Sequence, residues 1–165
     1  MPEKATLERA HEDKREGKAP STQAGEFVRE EMHHVREGKH GARSSKQAIA
    51  IGLSKARRAG VRLRAPAKGK APKRTRRSAQ SALRRGRSRR KTSARRSRAT
   101  RNALRREGRK AASRPALARQ ARASARRRGA RGRSAAAARA VRTKGPRRRR
   151  AAARKAARTR ARSGR

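Results

Sequence analysis

The chain has no cysteine, tryptophan or tyrosine, and Phe27 is its single aromatic residue. The absence of cysteine excludes disulfides and thiolate metal sites. The near absence of aromatic residues removes the stacking platforms that bind single-stranded bases and the aromatic signatures of RNA-recognition folds. No apolar run approaches the length of a membrane span, and the opening sequence MPEKATLERAHEDK lacks the apolar stretch of a secretory signal. We therefore expect a cytoplasmic protein with no membrane partner.

Acidic residues are almost missing from the second part of the chain. Nine of the ten Asp and Glu lie within the first 37 residues, and the tenth is Glu107. Residues 65–165 hold 41 of the 56 Lys and Arg, and 34 of these 41 are Arg. A segment with so much charge of one sign needs a polyanion, and nucleic acids are the abundant polyanions of a cell. The charge distribution predicts DNA as the partner, with RNA as the alternative.

Large apolar residues are also scarce beyond residue 64. Only four occur there: Leu83, Leu104, Leu117 and Val141. Because so few cannot build a core of ordinary type, any fold is expected in the first part of the chain. The expected fold class is mostly α: a small helical hairpin of two or three helices, followed by a long cationic tail that is disordered or partly helical.

The predicted domains follow this composition. Residues 1–61 form a small helical head, and residues 62–78, with two prolines, form a linker. Residues 79–165 form a low-complexity, Arg/Ala-rich cationic tail, which glycine and proline divide into short pieces. The dividing residues are Gly129, Gly132, Gly145 and Pro146.

Three helices are predicted in the head: Pro2–Glu16, Gln23–Glu37 and Lys46–Ala59, each followed by a glycine. The predicted N-terminal caps are Ser21 or Thr22 for the second helix and Ser44 or Ser45 for the third. Apolar residues at helical spacing give the second and third helices facing stripes, which predicts an αα-hairpin. The stripe residues are Phe27, Val28, Met32 and Val35 on the second helix, and Ile49, Leu53 and Ala56 on the third.

The cations that we assign to nucleic-acid binding lie in the third helix and in the Arg clusters of the tail. They are Lys46, Lys55, Arg57, Arg58, Arg84, Arg85, Arg89, Arg90, Arg95, Arg96, Arg126, Arg127, Arg128, Arg147, Arg148, Arg149, Arg150 and Arg154. The third helix could enter a major groove as a recognition helix, but no residue pattern marks base readout. A basic helix that contacts phosphates is the better interpretation.

A metal site, a cofactor site and a catalytic site are not expected. His33 and His34 are adjacent, and Glu30 is one helical turn before His34. Adjacent histidines point in different directions, however, and the spacing fixes no third ligand. The phosphate-binding pattern Gly-x-x-x-x-Gly-Lys-Ser/Thr is absent, and no nucleophile lies in a recognisable pattern with a base. We expect a protein that is not an enzyme and takes no small-molecule substrate.

The string HGARSSKQAIAIGLSKARRAGV, within the first 64 residues, resembles an uncharacterised family of small basic bacterial proteins. Such proteins are usually labelled hypothetical or DNA-binding, so the resemblance implies a bacterial source and a DNA-binding role. The tail is similar in composition to histone-like nucleoid proteins. It differs from linker histones because it is rich in Arg and follows no domain of winged-helix size.

These observations together predict sequence-independent DNA binding and compaction in a bacterial nucleoid. One alternative is a ribosome-associated or RNA-associated protein whose tail lies between RNA helices. Another is a head that binds a protein partner, with a tail that tethers it to nucleic acid. An exposed apolar patch on the head would favour this last alternative.

Overall fold

The computed structural model describes residues 2–88 and 93–163. About 79% of these residues are helical. The α-helices in the described ranges are α1 (Lys4–Arg15), α2 (Pro20–Glu37), α3 (Ser45–Arg58), α4 (Lys73–Ser88), α5 (Ala94–Arg105) and α6 (Arg114–Ser163), with a 3-10 helix at Lys110–Ala112. None of the described helices is both long and apolar enough to cross a membrane.

The chain divides into two compact units, Met1–Gln120 and Ala121–Arg165. The expected fold class, a small hairpin with a long disordered or partly helical tail, is therefore wrong: helix continues through a well-folded chain. Residues 62–72 of the predicted linker lack helix, and residues 73–78 already belong to α4. The composition argument failed because it counted only large apolar residues, whereas helices here pack through alanine and glycine.

The three predicted head helices are present as α1, α2 and α3. Ser44 caps α3, and its side chain accepts a hydrogen bond from the Gln47 amide at 3.3 Å. The predicted cap of α2 at Ser21 or Thr22 is wrong, because the helix begins at Pro20 with Ala19 as the N-cap. Proline suits the first helical position, since its φ is already helical and its missing N–H would have no partner there.

The predicted stripes of α2 and α3 do face one another, and their residues divide between two core clusters. One cluster contains Met32, Val35 and Ala48, with Val28 and Ile49 packed against it. The other is formed by Ala10, Ala24, Phe27, Ala56 and Val61, with Leu53 at its edge. The second cluster includes Ala10 of α1, so the first helix packs on the hairpin rather than standing apart from it.

Close backbone approach at Gly52 sets the contact between α2 and α3. A Cβ at this position would lie 2.7 Å from Val28 Cα and 2.9 Å from the Phe27 carbonyl oxygen. Glycine lowers helix propensity, but only glycine lets the two backbones lie this near. Its cost to α3 is offset by the packing that the approach allows.

Helix α4 packs on α3 through a face of small residues. Ala79 and Ala82 are buried, and Gly86 lies against the backbone of Arg57 and Arg58. The spacing of these three residues, by three and four positions, places them on one side of the helix. Because alanine and glycine occupy the side of α4 that packs on α3, the cationic side chains of α4 can point away from α3.

Residues 104–112 dock on the loop between α2 and α3. The Gly41 and Ala42 amides donate to the carbonyls of Leu104 and Gly108 at 2.9 and 3.1 Å. Ser45 Oγ donates to the Ala111 carbonyl at 2.6 Å, and Arg36 Nε donates to the Ala112 carbonyl at 3.0 Å.

The same docking buries two alanines and uses the last acid of the chain. Ala111 and Ala112 are buried in the cluster that holds Met32 and Val35. Glu107 lies 3.4 Å from Arg43 Nε. Glu107, which is far from the other acids in the sequence, therefore forms an ion pair with Arg43 of the loop. The docked segment belongs to the first unit.

The described part of the second unit, residues 121–163, is the remainder of α6. Gly129 and Gly145 interrupt the helix with φ of 67° and 63° and extended ψ, so helical pieces lie at 114–128, 130–144 and 146–163. Gly132 lies inside a piece and does not divide it. The large apolar residue Val141 is 45% exposed. Because Ala and Arg are strong helix formers, intrinsic propensity accounts for helix in the described part of this unit, none of which belongs to either core cluster.

Substitution of Gly52 tests the close packing of the hairpin. We expect Gly52→Ala to lower the free energy of unfolding by about 1–3 kcal/mol, since one helix backbone must move. The matched control is Gly25→Ala in α2, where a Cβ meets nothing within 4 Å. Its higher helix propensity should raise stability by about 0.5–1 kcal/mol. Equal denaturant midpoints for the two variants would contradict the packing.

Substitution of Gly41 tests the docked segment. A Cβ at Gly41 would overlap the Glu107 carbonyl group, whereas one at Gly108 meets nothing within 4 Å. We expect Gly41→Ala to speed amide hydrogen exchange across residues 104–112, while Gly108→Ala leaves that exchange slow. Mass spectrometry of peptides from the exchanged chain measures both. Unchanged protection in Gly41→Ala would show that the segment does not dock on this loop.

Candidate nucleic-acid interface

The four cations assigned to nucleic-acid binding in the head have different environments. Lys46 is exposed in the first turn of α3. Arg58, in its last turn, is also exposed and donates from Nε to the Ser54 carbonyl at 3.2 Å. Lys55 and Arg57 are held by contacts inside the head. The structure therefore leaves Lys46 and Arg58 as the accessible members of this group.

Lys55 forms ion pairs with two buried carboxylates. Its Nζ lies 2.7 Å from Glu31 Oε2 and 3.1 Å from Glu30 Oε1, and the side chain is only 16% exposed. Glu30 and Glu31 are almost completely buried. Two buried carboxylates without a cation would be strongly unfavourable. The charge of Lys55 therefore acts within the hairpin.

Arg57 fastens the chain that leaves α3. Its Nε donates to the Leu63 carbonyl at 3.1 Å, and its Nη2 donates to the Arg64 carbonyl at 3.3 Å. Burial lowers the pKa of Arg57, but a guanidinium remains charged at any physiological pH. These bonds hold residues 63–64 against the end of α3.

Arg58 and Arg85 come together where α3 meets α4. Although Arg58 is exposed overall, neighbouring atoms shield part of its side chain from water, and this partial desolvation is the main cause that lowers its pKa; the charge of Arg85 lowers it further, partly opposed by Glu31. The approach of Gly86 to the end of α3 places Arg84 and Arg85 beside this helix. Adjacent like charges repel, and a phosphate between them would relieve that repulsion. Sequence reasoning placed these arginines in separate domains and did not connect them.

The assigned arginines of the tail are mostly on the surface. Arg84, Arg95 and Arg96 are exposed on α4 and α5, and Arg85 is half-buried. Those exposed on α6 are Arg126, Arg127, Arg128, Arg147, Arg149, Arg150 and Arg154. Arg89 and Arg90 lie outside the described residues, as does the side chain of Arg148.

Further cations on these helices follow helical spacing. Exposed arginines of α5 at positions 95, 98 and 101, with 105 one turn later, share a side of the helix. The last piece of α6 carries a surface row of Arg147, Arg150, Arg154 and Arg158, with Lys155 beside it. Sequence reasoning selected runs of adjacent arginines and missed Arg98, Arg101, Arg105 and Arg158. Their spacing by three and four residues was the available signal.

Many acids of the first 37 residues are paired within the head. Arg9 Nε lies 2.7 Å from Glu26 Oε2, and Lys18 Nζ lies 2.7 Å from Asp13 Oδ1. The ion pairs with Asp13 and Glu16 raise the pKa of Lys18. The head therefore uses its own acids to hold its own cations, and the helical segments rich in Arg contain almost none.

A pair of lysine variants separates internal from surface charge. We expect Lys55→Gln to lower the free energy of unfolding by about 3 kcal/mol, because Glu30 and Glu31 lose their cation. Lys46→Gln should leave stability within about 0.5 kcal/mol and reduce duplex affinity slightly. Denaturant unfolding and fluorescence anisotropy on labelled duplex DNA measure the two effects. Unchanged stability of Lys55→Gln would contradict its internal role.

Residues 19–69 match DUF6496, a family of unknown function. The matched range contains α2, α3 and the chain that leads toward α4. No curated protein and no solved structure matches the chain. The resemblance to an uncharacterised family is confirmed to this extent, and the match carries no description of DNA binding.

Proposed function

We propose that the protein binds double-stranded DNA without regard to sequence and compacts it. The observation that carries this proposal is the exposed arginine on α5 and on each helical piece of α6. Glu107 is the last acid in the sequence, and it pairs with Arg43. The cations beyond it have no carboxylate side chain in their own segment to neutralise them, so an external polyanion takes that place.

Binding of this kind draws its free energy from released counterions. Each phosphate neutralised on duplex DNA contributes roughly −0.9 to the slope of log affinity against log salt. If about ten cations engage at once, the slope is on the order of −9. Guanidinium groups suit this role because they bind phosphate oxygens in pairs and can enter a narrow minor groove.

The division of α6 supports compaction as well as binding. Gly129 and Gly145 separate helical pieces, and each piece carries arginine on its surface. A cationic helix fits the major groove of B-form DNA, or lies along its phosphates. Several such pieces on one chain can hold neighbouring duplex segments, and attachment of the first raises the effective concentration of the others.

Duplex DNA fits this chain better than single-stranded nucleic acid does. Phe27 is the single aromatic residue, and it is fully buried in the head, so it cannot stack on a base. Among the described residues, the exposed large apolar side chain is Val141, which lies on α6. In the described part of the head, large apolar side chains are buried or half-buried, which gives no support to a head that binds a protein partner through exposed apolar residues.

Two variants with equal charge loss test binding by charge. One replaces the α6 row Arg147, Arg150, Arg154 and Arg158 with Gln, and the other replaces Arg126, Arg127, Arg128 and Arg131 with Gln. We expect both to reduce the salt slope alike, by about 0.9 for each phosphate that the variant no longer neutralises. Anisotropy titrations on two unrelated duplexes across a salt series give the slopes, and the two duplexes should bind equally.

The same titration on ribosomal RNA is the decisive comparison. Tighter and more salt-resistant binding to the RNA would overturn the proposal in favour of an RNA-associated protein. A large loss of affinity in one variant with none in the other would replace distributed binding by a local site. A preference for one duplex would show that the chain reads sequence.

A further inference from the structure

Three side chains that commonly bind metals meet in the head, away from the arginine surfaces. Glu31 and His34 lie on α2, and His40 lies in the loop before α3. One donor atom from each residue lies within 4.8 Å of the other two. His40 reaches the cluster because α2 ends at Gly38, whose φ of 79° turns the chain back. The sequence hid this arrangement, since the third ligand comes from a loop and not from helical spacing.

Each histidine has one ring nitrogen beside an oxygen acceptor. His40 Nδ1 lies 3.1 Å from the Gly41 carbonyl oxygen, and His34 Nε2 lies 2.7 Å from Glu3 Oε1. When these nitrogens carry the ring protons, they donate to the two oxygens. The other nitrogens, His40 Nε2 and His34 Nδ1, then carry lone pairs. A carboxylate or carbonyl on the far nitrogen is the usual support for a metal-binding histidine.

The buried carboxylate of Glu31 is a second, independent observation that indicates a bound ligand. Its side chain is fully buried, and neither carboxylate oxygen accepts a hydrogen bond of normal geometry from the described residues. Oε2 forms the ion pair with Lys55, whereas Oε1 faces His40 Nε2 at 3.1 Å. With the His40 proton on Nδ1, two lone pairs face one another at that distance. Such a contact is unfavourable unless a proton or a metal ion lies between the two atoms.

The geometry points to a site for a divalent transition metal, with Zn²⁺ the best match, bound by Glu31, His34 and His40. Two imidazoles and one carboxylate form a known zinc donor set, with a fourth position left for water. A cavity of about 260 Å³, lined by Glu3, Glu30, His34 and Lys39 among others, reaches the site at His34, whereas Glu31 and His40 do not line it. The positive ion would also offset the buried charges of Glu30 and Glu31, which Lys55 alone balances only in part.

The role of this metal is structural. It ties α2 to the loop that contains Gly41 and Ala42, and residues 104–112 dock on that loop. Metal binding to a folded site adds its free energy to folding. Zinc would therefore strengthen both the hairpin and the docked segment. This inference does not depend on DNA binding.

The test uses the untagged full chain, stripped with a chelator and dialysed against Zn²⁺. We expect one zinc per chain by elemental mass spectrometry, and a higher melting temperature with zinc than without it. His40→Gln and Glu31→Gln each remove a ligand, so each should weaken zinc binding by more than the roughly 10–100-fold that loss of a ligand's supporting hydrogen-bond partner costs. His11→Gln is the control, because this exposed histidine of α1 lies outside the cluster.

Cobalt substitution gives a readout that does not rely on the variants. The full chain loaded with Co²⁺ should show the visible d–d absorption of a four-coordinate site, and added Zn²⁺ should remove it. Circular dichroism shows whether a variant has kept its helices. Equal zinc binding by the control and both ligand variants would overturn the proposal. So would a dialysed full chain that retains no zinc and shows no cobalt band.

Discussion

The fold depends on how closely helix backbones can approach. The chain has few large apolar side chains, so it buries area by bringing helices near one another through alanine and glycine. Gly52 sets the contact of α2 with α3, and Gly86 with Ala79 and Ala82 sets that of α4 with α3. Contacts of this kind leave little room for adjustment, because backbone atoms cannot move as a flexible side chain can.

Helix packing through alanine and glycine also determines where the charged side chains lie. A helix that packs through alanine needs only a narrow side for the core, and the rest of its surface can carry arginine. Cations near the core are used internally: Lys55 pairs with Glu30 and Glu31, and Arg57 holds the chain after α3. Most of the described arginines of α4, α5 and α6 are exposed, and repulsion between them favours the binding of an external polyanion.

Part of this structure could be predicted from the sequence. The head helices follow from apolar periodicity and glycine stops, and the Ser44 cap follows from hydrogen-bonding chemistry. The ordered helices after residue 72 were missed because alanine faces leave no hydrophobic signal. The docking of residues 104–112 rests mainly on backbone hydrogen bonds, to which the identity of the side chains gives little clue.

The candidate interface was only partly predictable for related reasons. Net charge identified the arginine-rich segments, but it could not separate the internal Lys55 and Arg57 from the exposed Lys46 and Arg58. That distinction depends on which carboxylates and carbonyls the fold places nearby. Arg58 and Arg85, distant in the sequence, lie close enough in the fold for the charge of Arg85 to lower the pKa of Arg58. No local pattern could have indicated it before the packing of α4 on α3 was known.

The most direct test of compaction by charge is the extension of a single long DNA molecule, held at low constant force, as the full-length protein is added. Distributed binding predicts that the molecule shortens at low salt, for unrelated DNA sequences alike. It also predicts that raised salt restores the original length, because counterions from the solution condense on the DNA again and displace the protein. Binding that leaves the extension unchanged, or shortening that persists at high salt, would contradict compaction by distributed positive charge.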